Sequence, residues 1–370
     1  MGFDRVAVVS TAQTELRPEW GGAQHIDLIS AVVAQVFKGT GLTLDDVDFV
    51  FDSGSDVLDG RSISNCGFLG ALGAHHKEES RVEDDGLWAA QYAVTKIASG
   101  AARVGLVVAY SKPSESELRA FYASQVEPFY QRPVGFDQDA ASGLQAQAYI
   151  ARSGAKPADL ARLTHRRWAD AAARGKVAID EVPSESAILE APLAGAPLTS
   201  LMMARPVDGA VAVLLASEDI ARRSCQRPVW VTGMGSAMDR HAFATRSAGR
   251  LDACEAAAQR AVRQAGWAKV APDVAEISAS SAASELMVLE ATGLASESAA
   301  AAYDGPTRIN LSGGALPADP VMATGLVRLA EASRQLSWPG EYGLSSAKTA
   351  LVHASSGVGM QSHCVFTLEA

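Results

Sequence analysis

Residues 310 to 325 read Asn310-Leu311-Ser312-Gly313-Gly314-Ala315-Leu316-Pro317-Ala318-Asp319-Pro320-Val321-Met322-Ala323-Thr324-Gly325. A loop with paired glycines runs into a small-residue helical stretch, Gly314 to Leu336, and then into the apolar run Thr349-Ala350-Leu351-Val352. The same succession occurs earlier in the chain. Gly86 to Gly100 is a small-residue helix that leads into Val104-Gly105-Leu106-Val107-Val108-Ala109.

The likeness extends outward from this pair. Val6-Ala7-Val8-Val9 is a short buried strand matched by Pro228-Val229-Trp230-Val231-Thr232-Gly233. A helix at 27–38 and the run Asp45 to Phe51 are matched by a helix at 252–264 and the run Asp273 to Ile277. Each half therefore reads strand, helix, strand, helix, strand. Continuously apolar strands that alternate with helices imply parallel β structure covered on both faces. Residues 1–226 form one half and 227–370 the other, with a loop domain at about 112–206 inside the first. The helices of this excursion are expected at 140–153 and 157–174. Asp208-Gly209-Ala210 then turns the chain back into a strand.

A chain of 370 residues, 48% hydrophobic, can bury a full core. Its formal net charge of −10 argues against a general nucleic-acid or anionic-membrane surface. Cys66, Cys225, Cys254 and Cys364 are widely spaced, which fits reduced thiols rather than a disulfide framework or a zinc motif, so no metal is expected. The absence of an apolar leader or membrane-length run leads to a cytoplasmic expectation. Cys66 lies in an apolar segment and is expected to be a buried structural thiol. Gly233-x-Gly235 lacks the third glycine of a dinucleotide fingerprint.

The matching halves, the intervening loop domain, Asp208-Gly209-Ala210, the Asn310 loop and Val352-His353 together resemble the thiolase superfamily, in its sterol-carrier-protein-type branch. The resemblance implies an α/β thiolase-like fold, two duplicated βαβαβ halves in a five-layer αβαβα arrangement. It also implies a nucleophilic cysteine, a histidine that activates it, a second acid/base and oxyanion holes for thioester carbonyls. This sequence departs from that pattern at each catalytic position. Glu83 stands in place of the nucleophile, where it is available as a base or, with Asp84 and Asp85, as a helix cap. Ser280, within Ser278 to Ser281, replaces the His-Asp-Cys-Phe motif and is suited to orienting water or to capping. Asp319 replaces the loop histidine, either as an anion opposed to thiolytic chemistry or as a turn residue. His353 survives at a position where the branch often carries histidine, as a general base or a structural side chain.

By the same resemblance Asn310, Gly313 and Gly314 line the substrate pocket. Arg166, Arg167 and Trp168 approach coenzyme A, unless they form a solvated helix face with an inward tryptophan. No permanently bound cofactor is expected, and a coenzyme A thioester is the expected ligand. One functional reading is a non-catalytic acyl-CoA-binding subunit of a heteromeric complex, in effect a pseudoenzyme. Its partner would be a second copy, a homologous thiolase or an OB-fold zinc-ribbon protein. The other is an acyl-CoA-processing enzyme, by retro-aldol cleavage or C-acyl transfer, that uses His353 and Glu83 without a covalent acyl intermediate.

Overall fold

The longest apolar runs become the central strands. All eight residues of Val104–Ser111 and all nine of Gly209–Ser217 are buried, as strands covered on both faces must be. The computed structural model describes residues 4–295 and 305–370. The first half runs β1 (Val6–Gln13), α1 (His25–Val36), β2 (Phe49–Ser53), the one-turn helices α2 (Asp56–Asp59) and α3 (Leu69–Leu72), β3 (Glu78–Val82), α4 (Gly86–Ala98) and β4 (Val104–Ser111). The excursion carries α5 (Leu118–Ser124), α6 (Gln138–Ser153), α7 (Pro157–Arg174), α8 (Glu185–Glu190) and the small hairpin β5 (Leu193–Gly195) and β6 (Leu198–Thr199). The chain returns through β7 (Gly209–Ser217) and α9 (Glu218–Ser224). The second half is β8 (Val229–Met238), α10 (Asp252–Ala265), β9 (Val274–Ile277), α11 (Ala282–Ala291), β10 (Arg308–Ile309), α12 (Thr324–Ser337), β11 (Thr349–Ser356) and β12 (Ser362–Glu369).

The duplication is visible in strand order. One half is ordered β3-β2-β4-β7-β1 and the other β10-β9-β11-β12-β8, and the two join where Ala7 and Val8 pair with Trp230 and Val229. Each half mixes directions: β2 is parallel to β3 and β4, whereas β7 is antiparallel to β4, and β9, β11 and β12 repeat this. The expected all-parallel character thus holds only for the outer strands of each half. Helices α4 and α12 pack on each other between the halves, with Leu87, Ala90, Leu326 and Val327 in one core. Helix α1 covers the outer face of the first half and α10 that of the second. These are the five layers.

Two glycines set the spacing of the last layer. A Cβ on Gly233 or Gly235 would lie 2.1 Å from the carbonyl oxygen of Ala261 or Ala257, so the motif lets α10 sit against β8. Strand β3, Glu-Glu-Ser-Arg-Val, escaped the apolar pattern because it is a partly exposed edge strand. The Asn310 loop stays irregular up to a 3-10 turn at Val321–Ala323 and α12 begins only at Thr324, so the second small-residue helix is shorter than its sequence pattern. Cys66 is exposed rather than buried, because Phe68 takes the interior position of that segment. No helix among the described residues is long and apolar enough to cross a membrane.

Candidate active site

Asp319 lies at the meeting of two cavities. A groove of about 510 Å³ is lined by Trp168 and Arg205 and by Leu118 and Tyr122 of α5. An inner recess of about 60 Å³ continues from it, lined by Asp85, Ser278, Ser356 and Gly357. Tyr122, Gln138, Ser280 and Asp319 belong to both. The loop domain and the two halves therefore each contribute to one site.

Backbone pairing holds Asp319 there. Its N–H donates to the Arg205 carbonyl at 2.8 Å, and its own carbonyl accepts the Val207 N–H at 3.1 Å. The Thr324 hydroxyl, in the first turn of α12, donates to its carboxylate. The Asp319 carboxyl is nonetheless pushed up to about 6 by burial, opposed by the Thr324 hydroxyl and the Arg328 charge. Tyr122 sits beside it with its phenol pushed up by burial and by the negative charges of Asp319 and Asp139, so the hydroxyl keeps its proton. A carboxyl with a raised pKa and a protonated phenol thus line the same cavity, where each could exchange a proton with a bound substrate.

At the floor of the recess, Asp85 rather than Glu83 heads α4. Its carboxylate accepts the Leu87 N–H at 2.9 Å and the Gly325 N–H at 2.7 Å, tying the two central helices together. Burial raises the Asp85 carboxyl well above its ordinary range, and burial raises Asp84 as well. Glu83 lies outside the recess. Its carboxylate accepts the Asp56 N–H at 3.0 Å and stands 3.7 Å from Arg81. Ser280 does line the site, with its hydroxyl 3.3 Å from that of Ser284, while Ser281 caps α11.

His353 does not reach the recess. The two-residue alternation of β11 sends Val352 and Ala354 to the core between the halves and turns His353 to the opposite face, beneath α10. There it is fully buried, with Nε2 2.9 Å from Nδ1 of His363. Burial and the neighbouring imidazole hold its pKa well below the ordinary histidine range, and burial takes His363 down to about 3. The expected general base is thus a neutral core side chain. Cys254 joins this pair, and the three ligand atoms lie within 4.8 Å of one another, the one such metal-capable group among the described residues. Sequence spacing could not reveal it, since one helix and two strands supply the donors.

The loop that identified the fold is a structural device. Asn310, in the left-handed region at φ 50°, accepts the Ile277 N–H at 2.7 Å. A Cβ on Gly313 would meet Ala171 Cβ at 2.5 Å, and one on Gly314 would meet Asn310 Nδ2 at 2.5 Å. None of the three lines the groove or recess. Arg167 is fully buried, its Nε 2.8 Å from Glu285 Oε1 and its Nη1 2.8 Å from the Ile309 carbonyl, so it holds α7 to α11 instead of facing a phosphate. Arg166 is exposed on the same helix. Trp168 alone of that trio borders the groove, with the Arg205 guanidinium 4.7 Å from its ring. Tyr122, Gln138 and Arg205 were missed from sequence; the aromatic character of the excursion was their only trace.

Residues 235–369 match the family model described as thiolase C-terminal domain-like. No curated protein sequence matches the chain. Its fold is similar to that of a solved structure named Ltp2-ChsH2(DUF35) aldolase, with a TM-score of 0.83 and 20% identity over 99% of this chain and 98% of that one. It is also similar to a monomeric SCP2-thiolase like protein type 1 from Mycobacterium smegmatis, with a TM-score of 0.74 and 19% identity over 98% of this chain and 76% of that one. The second half of the chain thus resembles a thiolase C-terminal domain, and the whole chain shares the fold of SCP2-thiolase-like structures.

Proposed function

We propose that the protein cleaves a β-hydroxyacyl thioester of coenzyme A by a retro-aldol reaction, with Asp319 as the base and no acyl-enzyme intermediate. The observation that carries this reading is the placement of the enclosed Asp319 carboxyl where groove and recess meet. Thiolytic chemistry fits less well. Cys254 and Cys364 are buried, burial drives the Cys364 thiol up, and none of the four cysteines lines either cavity.

The ionised Asp319 takes the proton of the β-hydroxyl. The Cα–Cβ bond then breaks, its electron pair passes to the thioester as an enolate, and the β-carbon leaves as a ketone or aldehyde. Asp319 becomes neutral as the enolate charge develops, which removes the repulsion that an aspartate would exert in thiolysis. Tyr122 donates a hydrogen bond to the enolate oxygen, and the Asp319 proton returns to Cα. No redox partner is consumed. The aldolase named among the structural neighbours supports the reaction class.

A second reading, an acyl-CoA-binding accessory subunit, draws support from the loop domain. Phe129, Tyr130 and Val134 are each at least 80% exposed there, and one neighbouring structure is named for two components. A homologous thiolase, an OB-fold zinc-ribbon protein or a second copy would be the partner.

The test is product analysis by liquid chromatography and mass spectrometry on a panel of 3-hydroxyacyl-CoA esters. Wild type should release a shortened acyl-CoA with an equimolar carbonyl compound. Asp319→Asn should lose about 10²- to 10⁴-fold in rate with its melting temperature retained. Thioester binding without cleavage, by the chain alone or with its partner, would refute the catalytic reading and favour the accessory one.

A further inference from the structure

Far from Asp319, a concavity of about 740 Å³ opens where the two halves meet. It gathers the C-terminal ends of three helices: Lys38 beyond α1, Arg222 and Arg223 of α9, and Arg334 of α12. Arg227 adds a fifth cation, and Glu341 is the one carboxylate lining it. On a chain of net charge −10 this is a strong local reversal.

Helix C-termini favour cations, which accounts for part of the pattern. Arg222 is also committed to Glu218 at 2.6 Å, and Arg334 stands 4.0 Å from Glu331. Three observations remain beyond these local roles. The side chains of Lys38 and Arg223 make no hydrogen bond or ion pair among the described residues, and Arg223 acts on Asp46 only through space. Trp338 is 48% exposed with the Arg227 guanidinium 4.8 Å from its ring centre. Ser333 borders the groove, is only 3% exposed, and its hydroxyl finds no partner among the described residues.

We propose that this groove binds a nucleotide, with its phosphates on Lys38, Arg223 and Arg227 and its base on Trp338. Charge-assisted bonds to phosphate and stacking on an indole beside a guanidinium are the chemistry that these side chains offer. A free nucleotide and the adenosine-phosphate end of coenzyme A share that chemistry. The groove borders the C-terminal end of α12, and Thr324, which holds Asp319, begins the same helix. At 14 residues that helix is about 21 Å long, so the two sites are separate.

Isothermal titration of the full chain with ATP, coenzyme A, pyrophosphate and inorganic phosphate tests the proposal. ATP or coenzyme A should bind saturably, and Lys38→Glu with Arg223→Glu should weaken that binding by more than about tenfold. Trp338→Leu should weaken ATP more than pyrophosphate, and Trp338→Phe should restore most of the loss. Asp319→Asn should leave ATP binding unchanged. Loss of ATP binding alone in the charge-reversed variant marks a free nucleotide, and loss of coenzyme A binding marks its adenosine-phosphate end. No saturable binding of either ligand, binding indifferent to the charge reversals, or inorganic phosphate held as tightly as ATP would overturn the assignment. These outcomes do not depend on whether the protein is a lyase.

Discussion

Replacing Arg167 should unfold the protein more readily without acting through ligand affinity. The guanidinium is fully buried and donates to Glu285, which is 1% exposed, and to the Ile309 carbonyl. Arg167→Met keeps much of the volume but leaves the Glu285 carboxylate in the interior without this partner. Breaking a buried pair by removing one member costs about 3–5 kcal/mol, whereas replacing both by apolar groups is often close to neutral. Urea unfolding should therefore give Arg167→Met a loss of about 3–5 kcal/mol, and the double variant Arg167→Met with Glu285→Leu should recover most of it. Ile309 keeps an orphaned carbonyl in both, so recovery stops about 1–3 kcal/mol short of wild type. If Arg167→Met changed stability by less than about 1 kcal/mol, the buried-pair argument would fail and the phosphate-facing role would regain its footing.

The rate of carbon–carbon cleavage should rise with pH through about 6, because the base form of Asp319 exists only above its raised pKa; a flat profile from pH 5 to 8 would count against it as the base. The His353 and His363 pair should destabilise the fold in acid. Both are held neutral in the native state with depressed pKa values, so the unfolded chain binds the extra protons, and stability present above about pH 6.5 is lost as pH falls toward the native values. Urea midpoints at pH 8, 6 and 5 should show that slope, and it should flatten in a variant with His353→Phe and His363→Leu. Glu276→Gln should lower stability by about 3–5 kcal/mol, since buried Arg328, 3.0 Å away, loses its charge partner; calorimetry reads the effect.

The repeated succession of strands and small-residue helices was enough to specify two α/β halves. Strands such as β4 and β7 are buried on both faces, and such burial writes itself into sequence as a continuous apolar run. Asp319 and Ser280 stand in loops that follow recognisable elements, and both residues line the cavities. The role of His353 was not legible. One step along β11 reverses the face, and proximity to a loop motif does not say which face looks into the site.

The sequence by itself determined the duplicated architecture and the wide spacing of the four cysteines, because both follow from residue type and order along the chain. Only the tertiary structure decided that Asp319 meets Tyr122 in one cavity, that Asp85 rather than Glu83 heads the recess, and that Arg167 closes a buried ion pair. The physical reason is that burial shifts a pKa and pairs a charge through neighbours brought together by packing, and residues such as Arg205 and Asp319, or His353 and Cys254, are far apart in sequence.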